Sequence, residues 1–148
     1  MKSVIICPAT FDDVTYIYDF LCDLEEQSLD TELFKTIFRK NLQNPDCHHL
    51  VAFQGQQCIG YISMHSQWLL HHCNKVGEIQ ELYVAPPYRG LGVGSALIQA
   101  IEQIAANEGV LHIEVTANQK RQRTHQFYEN IGFTKTHYKF VKDLSAHN

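Results

Sequence analysis

Apolar and polar positions recur along the chain with two different periods, and these periods predict its elements. Residues 4–7 are predicted to form a first strand. Apolar side chains then recur at helical spacing over residues 14–24 and 33–42, and Asp30 is expected to cap the second helix. A turn sequence at residues 44–46, with a central proline, ends that helix.

The remainder of the chain predicts a sheet with further helices. Strands are expected over residues 49–54 and 58–68, joined at Gly55 as a hairpin. A polar loop over residues 69–76 then precedes a strand over 78–84 and a glycine-rich turn. After it we expect a long helix, a strand over 111–116, a short helix over 123–130 and a last strand over 135–142. This order predicts a mixed α/β sheet in a single domain that spans residues 1–148.

The glycine-rich turn lies between a predicted strand and the start of a predicted helix. Backbone N–H groups lack intrahelical partners at such a position, and the helix dipole adds partial positive charge there. Glycines leave room for a phosphate to approach the backbone closely. The turn therefore predicts a site for a phosphorylated ligand, formed by Arg89, Gly90, Leu91, Gly92, Val93, Gly94 and Ser95.

Two common phosphate-binding motifs do not fit this turn. A Walker P-loop needs a lysine directly after its last glycine, but Ser95 follows Gly94. A dinucleotide-binding fingerprint needs a third glycine where Leu97 stands, and its strand should lead straight into the first glycine. Glu114 lies where that fingerprint has its ribose-binding acid, and with the other two requirements missing we interpret this as coincidence.

Two sequence blocks together resemble the GNAT superfamily of N-acetyltransferases. The first is Arg-x-x-Gly-x-Gly at residues 89–94, and the second comprises Asn118 with the stretch at residues 127–133. The resemblance covers nearly the whole chain. It implies a mixed, mostly antiparallel twisted sheet flanked by helices, with a splayed central pair of parallel strands. It also implies acetyl-CoA as the acyl donor, held by the glycine-rich turn through its pyrophosphate.

The resemblance also implies roles for individual residues. A strand carboxylate takes a proton from the attacking amine, and our first candidate is Glu78, followed by Glu81. Strand alternation places these two on opposite faces unless a bulge intervenes. Tyr128 matches the tyrosine that protonates the sulfur of CoA, and Asn118 matches a residue that holds the pantetheine arm. Backbone amides of the strand end should bind the thioester part of the cofactor and its oxyanion, at Leu82, Tyr83 and Val84.

Histidines and basic residues near both blocks suggest the acceptor. The combined pattern resembles the branch of the superfamily that acetylates aminoalkylphosphonates. That resemblance implies a small primary amine bearing a phosphonate, direct attack without an acyl-enzyme, and assistance by a divalent metal. A phosphonate dianion favours basic partners, and the candidates are His65, His72, Lys120 and Arg121. The candidate metal ligands are His71 and His72.

Other functions remain open at this point. The same chemistry could act on another small amine, such as a polyamine, an amino acid or an aminoglycoside. Those cationic acceptors should prefer an acidic pocket. A catalytically silent CoA-binding module that regulates a partner would keep the glycine-rich turn and need neither Tyr128 nor a strand carboxylate.

Composition narrows the class of protein further. The formal charge of −4 argues against a general nucleic-acid binder. No apolar run approaches the length that spans a membrane, and the first residues do not resemble a signal peptide. Five scattered cysteines fit reduced thiols, so we expect a cytoplasmic location. Trp68 and the last strand are candidates for a homodimer interface.

Overall fold

The structure is a computed structural model that describes residues 3–145. One compact unit ends at Val115 and a second begins at Thr116. Within the described residues, the first unit holds five strands: β1 (Val4–Pro8), β2 (Cys47–Gln54), β3 (Gln57–Leu69), β4 (Asn74–Val84) and β5 (Ile113–Val115). Its helices are α1 (Val14–Glu25), α2 (Thr31–Leu42) and α3 (Val93–Asn107), and the second unit holds α4 (Gln122–Asn130).

The five strands form one sheet in chain order. Each neighbouring pair is antiparallel except β4 and β5, which run parallel. The parallel pairing covers only Gly77–Ile79 of β4, whereas the pairing with β3 continues to Val84. The mixed, mostly antiparallel sheet flanked by helices confirms the predicted fold class. Pairing between β4 and β5 therefore ends at Ile79, before the end of β4 at Val84.

Helices cover both faces of this sheet. The helices α1 and α2 pack on one face and α3 packs on the other. At Gly60 an added Cβ would lie 3.1 Å from the Leu97 side chain and 3.2 Å from the Tyr83 carbonyl, so glycine permits the close approach of α3. The buried core beneath α1 and α2 consists of Ala9, Val14, Ile17, Leu21, Phe38, Val51, Cys58 and Tyr61.

The backbone conformation is locally determined at the start of α2, where the predicted cap is confirmed, and after the end of α3. The Asp30 carboxylate accepts a hydrogen bond from the Leu33 amide at 2.8 Å, which satisfies one N–H at the start of α2. Gly109 has a φ of 72°, directly after the end of α3, where the left-handed conformation favours glycine.

The predicted loop over residues 69–76 is largely wrong. Only a 3₁₀ turn at Leu70–His72 and Cys73 separate β3 from β4, which begins at Asn74 rather than at residue 78. Polar side chains suggested a loop, but an ion pair of 2.7 Å between Lys75 and Asp46 holds a polar residue on the strand.

The predicted last strand is also wrong. Residues 135–142 have no strand in the structure. A strand needs a neighbour that supplies backbone hydrogen bonds, and the described residues of the second unit contain no other strand. Side chains in this segment alternate as they do in a strand, but alternation alone does not form a strand without a neighbouring strand to pair with. Separately, none of the helices described within residues 3–145 is long and apolar enough to cross a bilayer.

Removing a core side chain of α3 should destabilise the first unit strongly. Ile101 is fully buried, so Ile101→Ala should lower the free energy of unfolding by about 2–5 kcal/mol, since it removes apolar contact and leaves a cavity. The matched control is Ile5→Ala, because Ile5 is 63% exposed and should cost less than about 1 kcal/mol. Urea unfolding followed by circular dichroism measures both. Equal losses would contradict the packing described for α3.

Candidate active site

The turn between β4 and α3 presents backbone amides at a helix start. Gly90 and Gly92 have φ values of 75° and 89°, in the left-handed region. Gly92 is the N-cap residue, and no described side chain caps it. The first helical hydrogen bond runs from the Ala96 amide to the Gly92 carbonyl at 3.0 Å. The amides of residues 93–95 therefore precede the regular hydrogen bonding of α3 and suit an anion such as a phosphate.

Arg89 fastens this turn to the strand before it. Its Nε donates to the Val84 carbonyl at 2.7 Å, and its guanidinium lies 5.3 Å from the centre of the Tyr83 ring. These contacts use the side chain to shape the turn. The guanidinium keeps its positive charge, which these contacts place at the end of β4.

A β-bulge at Gln80 changes the orientation of the candidate bases. Glu78 lies opposite His65 and Glu81 lies opposite Ser63, so three steps along β4 match two steps along β3. Since side chains two residues apart on β3 share a face, Glu78 and Glu81 also share a face. Strand alternation alone would place the two glutamates on opposite faces, and the bulge is the exception that places them on one face.

A cavity of about 230 Å³ lies between this face of the sheet and the helices α1 and α2. Its apolar walls come mostly from the two helices. Its polar lining is contributed by Glu25, Asn41, His49, Tyr61 and Glu81. The volume is below that of a pocket for a drug-sized ligand, so the cavity suits a small acceptor or one end of a longer one.

Two hydrogen-bonded pairs line or flank the cavity. Nδ1 of His49 lies 2.7 Å from the Tyr61 hydroxyl. The Ser63 hydroxyl donates to the Glu81 carboxylate, and the Glu81 amide donates back to the Ser63 oxygen at 3.2 Å. Burial raises the pKa of Tyr61, and the nearby Glu81 carboxylate raises it further. Together these contacts fix the position of Glu81.

Sequence reasoning missed His49, Tyr61 and Ser63 as site residues. They lie within strands whose apolar neighbours suggested an ordinary core. The available signal was register: Tyr61 and Ser63 alternate on β3, and His49 is the cross-strand partner of Ser63. Polar residues that recur on one face of a hairpin indicate a polar surface beneath the covering helices.

His49 is neutral at physiological pH. Burial lowers its pKa to about 4, with smaller effects from the neighbouring His65 and His48. Its Nε2 atom is buried and has no hydrogen-bond partner among the described residues. Leaving such an atom unsatisfied costs on the order of 1–3 kcal/mol, so a bound ligand or water that meets it would be favourable.

A row of ionisable side chains crosses three strands beside the cavity. His65 on β3 is the cross-strand partner of Glu78 on β4, and Glu78 is the partner of Glu114 on β5. Neighbouring strands lie about 4.8 Å apart, so these side chains are adjacent on one face. Pairing between β4 and β5 ends directly after this row, at Ile79.

His72 lies in a group of three metal-type ligands. His112 Nε2 is 2.8 Å from Glu114 Oε2, and His72 Nε2 is 3.9 Å from the same oxygen. Two imidazole nitrogens and a carboxylate oxygen are donors that divalent transition metals accept. Of the histidines proposed as metal ligands, His72 belongs to this group. His71 is exposed and its ring lies 4.3 Å from that of His72.

His112 and Glu114 were not recognised as site residues. The position of Glu114 along the chain matches only the acid of a dinucleotide-binding fingerprint, and the rest of the sequence excludes that motif. Parallel pairing of β5 with β4 brings both residues close to His72, some 40 positions earlier in the chain. No local pattern encodes that pairing.

The end of β4 continues beyond the residues that pair with β5. In an antiparallel ladder the N–H groups of alternate residues point away from the partner strand, and this applies to the stretch with Leu82 and Tyr83. The Tyr83 hydroxyl donates to the Asp23 carboxylate, and its ring stacks on Phe20 at 4.8 Å. Burial is the main cause that raises the pKa of Tyr83 to about 12, and the hydrogen bond to the Asp23 carboxylate adds to it. These contacts hold the end of β4 against α1.

In the second unit, Tyr128 is buried on α4. Its ring forms edge contacts with Phe127 at 5.3 Å and Phe133 at 5.5 Å. Burial raises its pKa to about 12, and the positive charge of Arg121 opposes this shift in part. The phenol therefore stays protonated at neutral pH and can act as a hydrogen-bond donor.

The other candidates of the second unit lie at the start of α4. The Asn118 side-chain oxygen accepts from the Lys120 amide at 2.9 Å, which makes a local turn. The Asn118 carbonyl accepts from the Arg121 amide at 3.0 Å and lies 2.7 Å from Nε2 of His125. Lys120 and Arg121 are exposed. A role for Asn118 toward a pantetheine arm would fall to its amide nitrogen.

Comparisons with known proteins agree with this geometry. The sequence profile of the Acetyltransferase (GNAT) family matches residues 14–133. An aminoalkylphosphonate N-acetyltransferase of Salmonella typhimurium is 39% identical over 136 residues, covering 92% of this chain and 88% of that protein. A transcriptional regulator from Bacillus halodurans has the same fold, with a TM-score of 0.88 at 21% identity, covering 96% of this chain and 100% of that one. An aminoglycoside 6'-N-acetyltransferase from Acinetobacter baumannii has a TM-score of 0.82 at 19% identity, covering 96% and 99%.

The mixed sheet with a glycine-rich turn between β4 and α3 is the fold shared with these solved structures. With the family match over residues 14–133, the chain belongs to the GNAT family of acetyltransferases. It is an N-acetyltransferase, as the named relative at 39% identity also indicates.

The buried His49 should make stability depend on pH. Its folded-state pKa of about 4 lies below the ordinary 6.5, so the unfolded chain binds a proton that the folded chain does not. Stability should therefore fall as pH decreases from about 6.5 toward 4. Above about 6.5 His49 is neutral in both the folded and the unfolded chain, so it adds no pH dependence there. Relative to His49→Gln, the wild type should lose on the order of 2 kcal/mol between pH 7 and pH 4.5 in urea unfolding. His71→Gln, at an exposed histidine, is the control, and a parallel pH dependence for both variants would contradict the assignment.

Proposed function

We propose that this protein transfers an acetyl group from acetyl-CoA to the primary amine of a small aminoalkylphosphonate. The amine attacks the thioester carbonyl directly in a ternary complex. The observation that carries the acceptor is the 39% identity, over 92% of the chain, to a protein named for that activity. Acetyl-CoA is the donor expected of the GNAT family to which the chain belongs.

The donor is held by the glycine-rich turn in this proposal. The amides of residues 93–95 and their neighbours in the turn meet the pyrophosphate, and Arg89 adds positive charge while it shapes the turn. Asn118 binds the pantetheine arm. Amides near Leu82 and Tyr83 stabilise the oxyanion of the tetrahedral intermediate. Both compact units then belong to one acetyltransferase domain, because the family match runs across their boundary at residue 115.

Glu78 accepts the proton of the attacking amine in this proposal. Two of the residues proposed to bind the phosphonate flank it: His65 is its neighbour on β3, and His72 contacts its other neighbour, Glu114. A short carbon link separates amine from phosphonate in aminomethyl- or 2-aminoethylphosphonate. An acceptor whose phosphonate meets these histidines would therefore bring its amine to Glu78, whereas Glu81 lies up to about 10 Å farther along β4.

Tyr128 assists the departing sulfur in this proposal. An ordinary thiol, such as that of cysteine with a pKa near 8.5, is a stronger acid than Tyr128, whose pKa is about 12. The phenol therefore keeps its proton and stabilises the thiolate by donating a hydrogen bond, rather than by complete proton transfer. The amine proton passes to Glu78, and the thiolate later takes a proton from solvent.

Lys120 and Arg121 are the remaining candidates for binding the phosphonate.

One observation favours a second acceptor class. Two carboxylates, Glu25 and Glu81, line the cavity beneath α1 and α2, and no lysine or arginine is among its lining residues. An acidic pocket favours a cationic acceptor such as a polyamine, which would place its second amine in this cavity. The chemistry at the thioester would be unchanged.

Location and assembly also belong to the proposal. All five cysteines are free thiols, which supports the reducing environment of the cytoplasm. Trp68 is 73% exposed near the end of β3, which supports a role in a homodimer interface.

A panel of acceptors should distinguish the two acceptor classes. We expect 2-aminoethylphosphonate to be acetylated with a kcat/KM at least about tenfold above that of ethylamine, because the phosphonate adds charged hydrogen bonds. Release of CoA thiol measures the rate. Spermidine and an aminoglycoside complete the panel. Turnover of spermidine without turnover of 2-aminoethylphosphonate would reject the phosphonate proposal and favour the acidic-cavity alternative.

The two glutamates should differ in their effect on turnover. Glu78→Gln should lower kcat by about 10²- to 10⁴-fold, since the amide cannot accept the amine proton. The KM for acetyl-CoA should stay within about twofold, because the donor is bound elsewhere. Glu81→Gln is the matched control, at the same strand face and with a smaller expected loss. A larger loss for Glu81→Gln would transfer the role of base to Glu81.

A further inference from the structure

The side chains of His72, His112 and Glu114 converge at the end of the sheet. Their ligand atoms all lie within 4.8 Å of one another. The rings of His72 and His112 are 4.8 Å apart and nearly perpendicular, at 84°. Both rings direct an Nε2 atom at the same Glu114 oxygen.

This spacing fits the ligands of one metal ion. Ligand atoms at about 2.1 Å from a tetrahedral centre are separated by about 3.4 Å. The observed separations of 2.8 and 3.9 Å lie on either side of that value. Small rotations of the side chains would bring the three atoms to a common centre. Three protein ligands also leave a coordination position open for a water or an anion.

Backbone contacts hold the three ligands in place. The His112 carbonyl accepts from the Gly77 amide at 3.1 Å, and the Leu111 amide donates to the Lys75 carbonyl at 2.8 Å. Glu114 lies within β5. His72 ends a 3₁₀ turn that Cys73 closes in a left-handed conformation, with φ of 48°. The cluster therefore sits on ordered backbone on both sides, as a preorganised site requires.

We propose that His72, His112 and Glu114 bind one divalent first-row transition metal ion, of the class of Zn²⁺, Co²⁺ or Ni²⁺. Two imidazoles and one carboxylate favour these ions over Mg²⁺ or Ca²⁺, which prefer oxygen ligands. His71 is not a ligand. The ion lies next to Glu78, because Glu114 is the cross-strand partner of that residue.

A cation at this position would serve the acceptor. A phosphonate near Glu78 and Glu114 meets two carboxylates, and a bound metal supplies the compensating positive charge. This assistance rests on the proposed function. The metal site itself does not, because its ligands are defined without reference to any acceptor.

Metal binding is tested without donor or acceptor. Untagged full-length protein, stripped with EDTA, is titrated with ZnSO₄ by calorimetry and with CoCl₂ by visible absorption. We expect one ion per chain and a Co²⁺ spectrum of a site with nitrogen and oxygen ligands. His112→Ala and Glu114→Gln should each weaken binding by at least about tenfold, and His71→Ala, the matched control, should stay within about twofold.

Two results would overturn the metal site. One is the absence of saturable binding by the wild type. The other is equal affinity of the wild type, His112→Ala and Glu114→Gln, which would leave the cluster as one His112–Glu114 hydrogen bond with His72 at ion-pair distance. Glu114→Gln nearly preserves volume, and thermal unfolding without metal confirms that each variant is folded. The protein could bind metal and yet show no rise in KM for 2-aminoethylphosphonate when EDTA removes the metal. That result would confirm the metal site and reject only its proposed role in binding the acceptor.

Discussion

Pairing along strand β4 is the constraint on which the site depends. One edge of β4 is paired with β3 up to Val84, and the other is paired with β5 only over Gly77–Ile79. The ladder with β3 fixes the bulge at Gln80, and the bulge turns both glutamates to one face. The short ladder with β5 leaves the last residues of β4 without a partner in that strand, and their amides are the proposed donors to the oxyanion. The same strand ends at the glycine-rich turn, so the groups proposed to bind the donor, accept the proton and bind the oxyanion all take their positions from it.

The polar face beneath α1 and α2 is a poor choice for stability alone. A buried histidine with an unsatisfied nitrogen costs more than an apolar residue of similar size would at the same place. The cost is partly offset, because His49 is hydrogen-bonded to Tyr61 and Glu81 to Ser63. Such paired groups stay ordered while they line an open cavity. A surface of this kind is expected where a ligand completes the hydrogen bonds, not where helices merely cover a sheet.

Much of the fold follows from local patterns, whereas the site depends on pairing between distant segments. Helical spacing and the Asp30 cap predicted α2, and glycine spacing predicted the turn before α3, because both act within a few residues. The bulge at Gln80 escaped prediction since strand alternation assumes an uninterrupted ladder. His112 and Glu114 escaped because only the parallel pairing of β5 brings them to His72. Residues 135–142 alternate like a strand, but alternation does not supply a partner.

Charge is unevenly distributed across this sheet face, and its two parts favour different acceptors. The cavity beside Glu81 is acidic and favours an ammonium group, whereas His65 in the row and His72 beside Glu114 suit an anion. A phosphonate placed beside that row without a cation would be repelled. Two like charges 4 Å apart near a protein surface cost about 4 kcal/mol at an effective dielectric constant of 20. A divalent ion on the histidines reverses the sign of that term. A polyamine gains nothing there, so a cation bound beside Glu78 favours an acceptor that carries an anion.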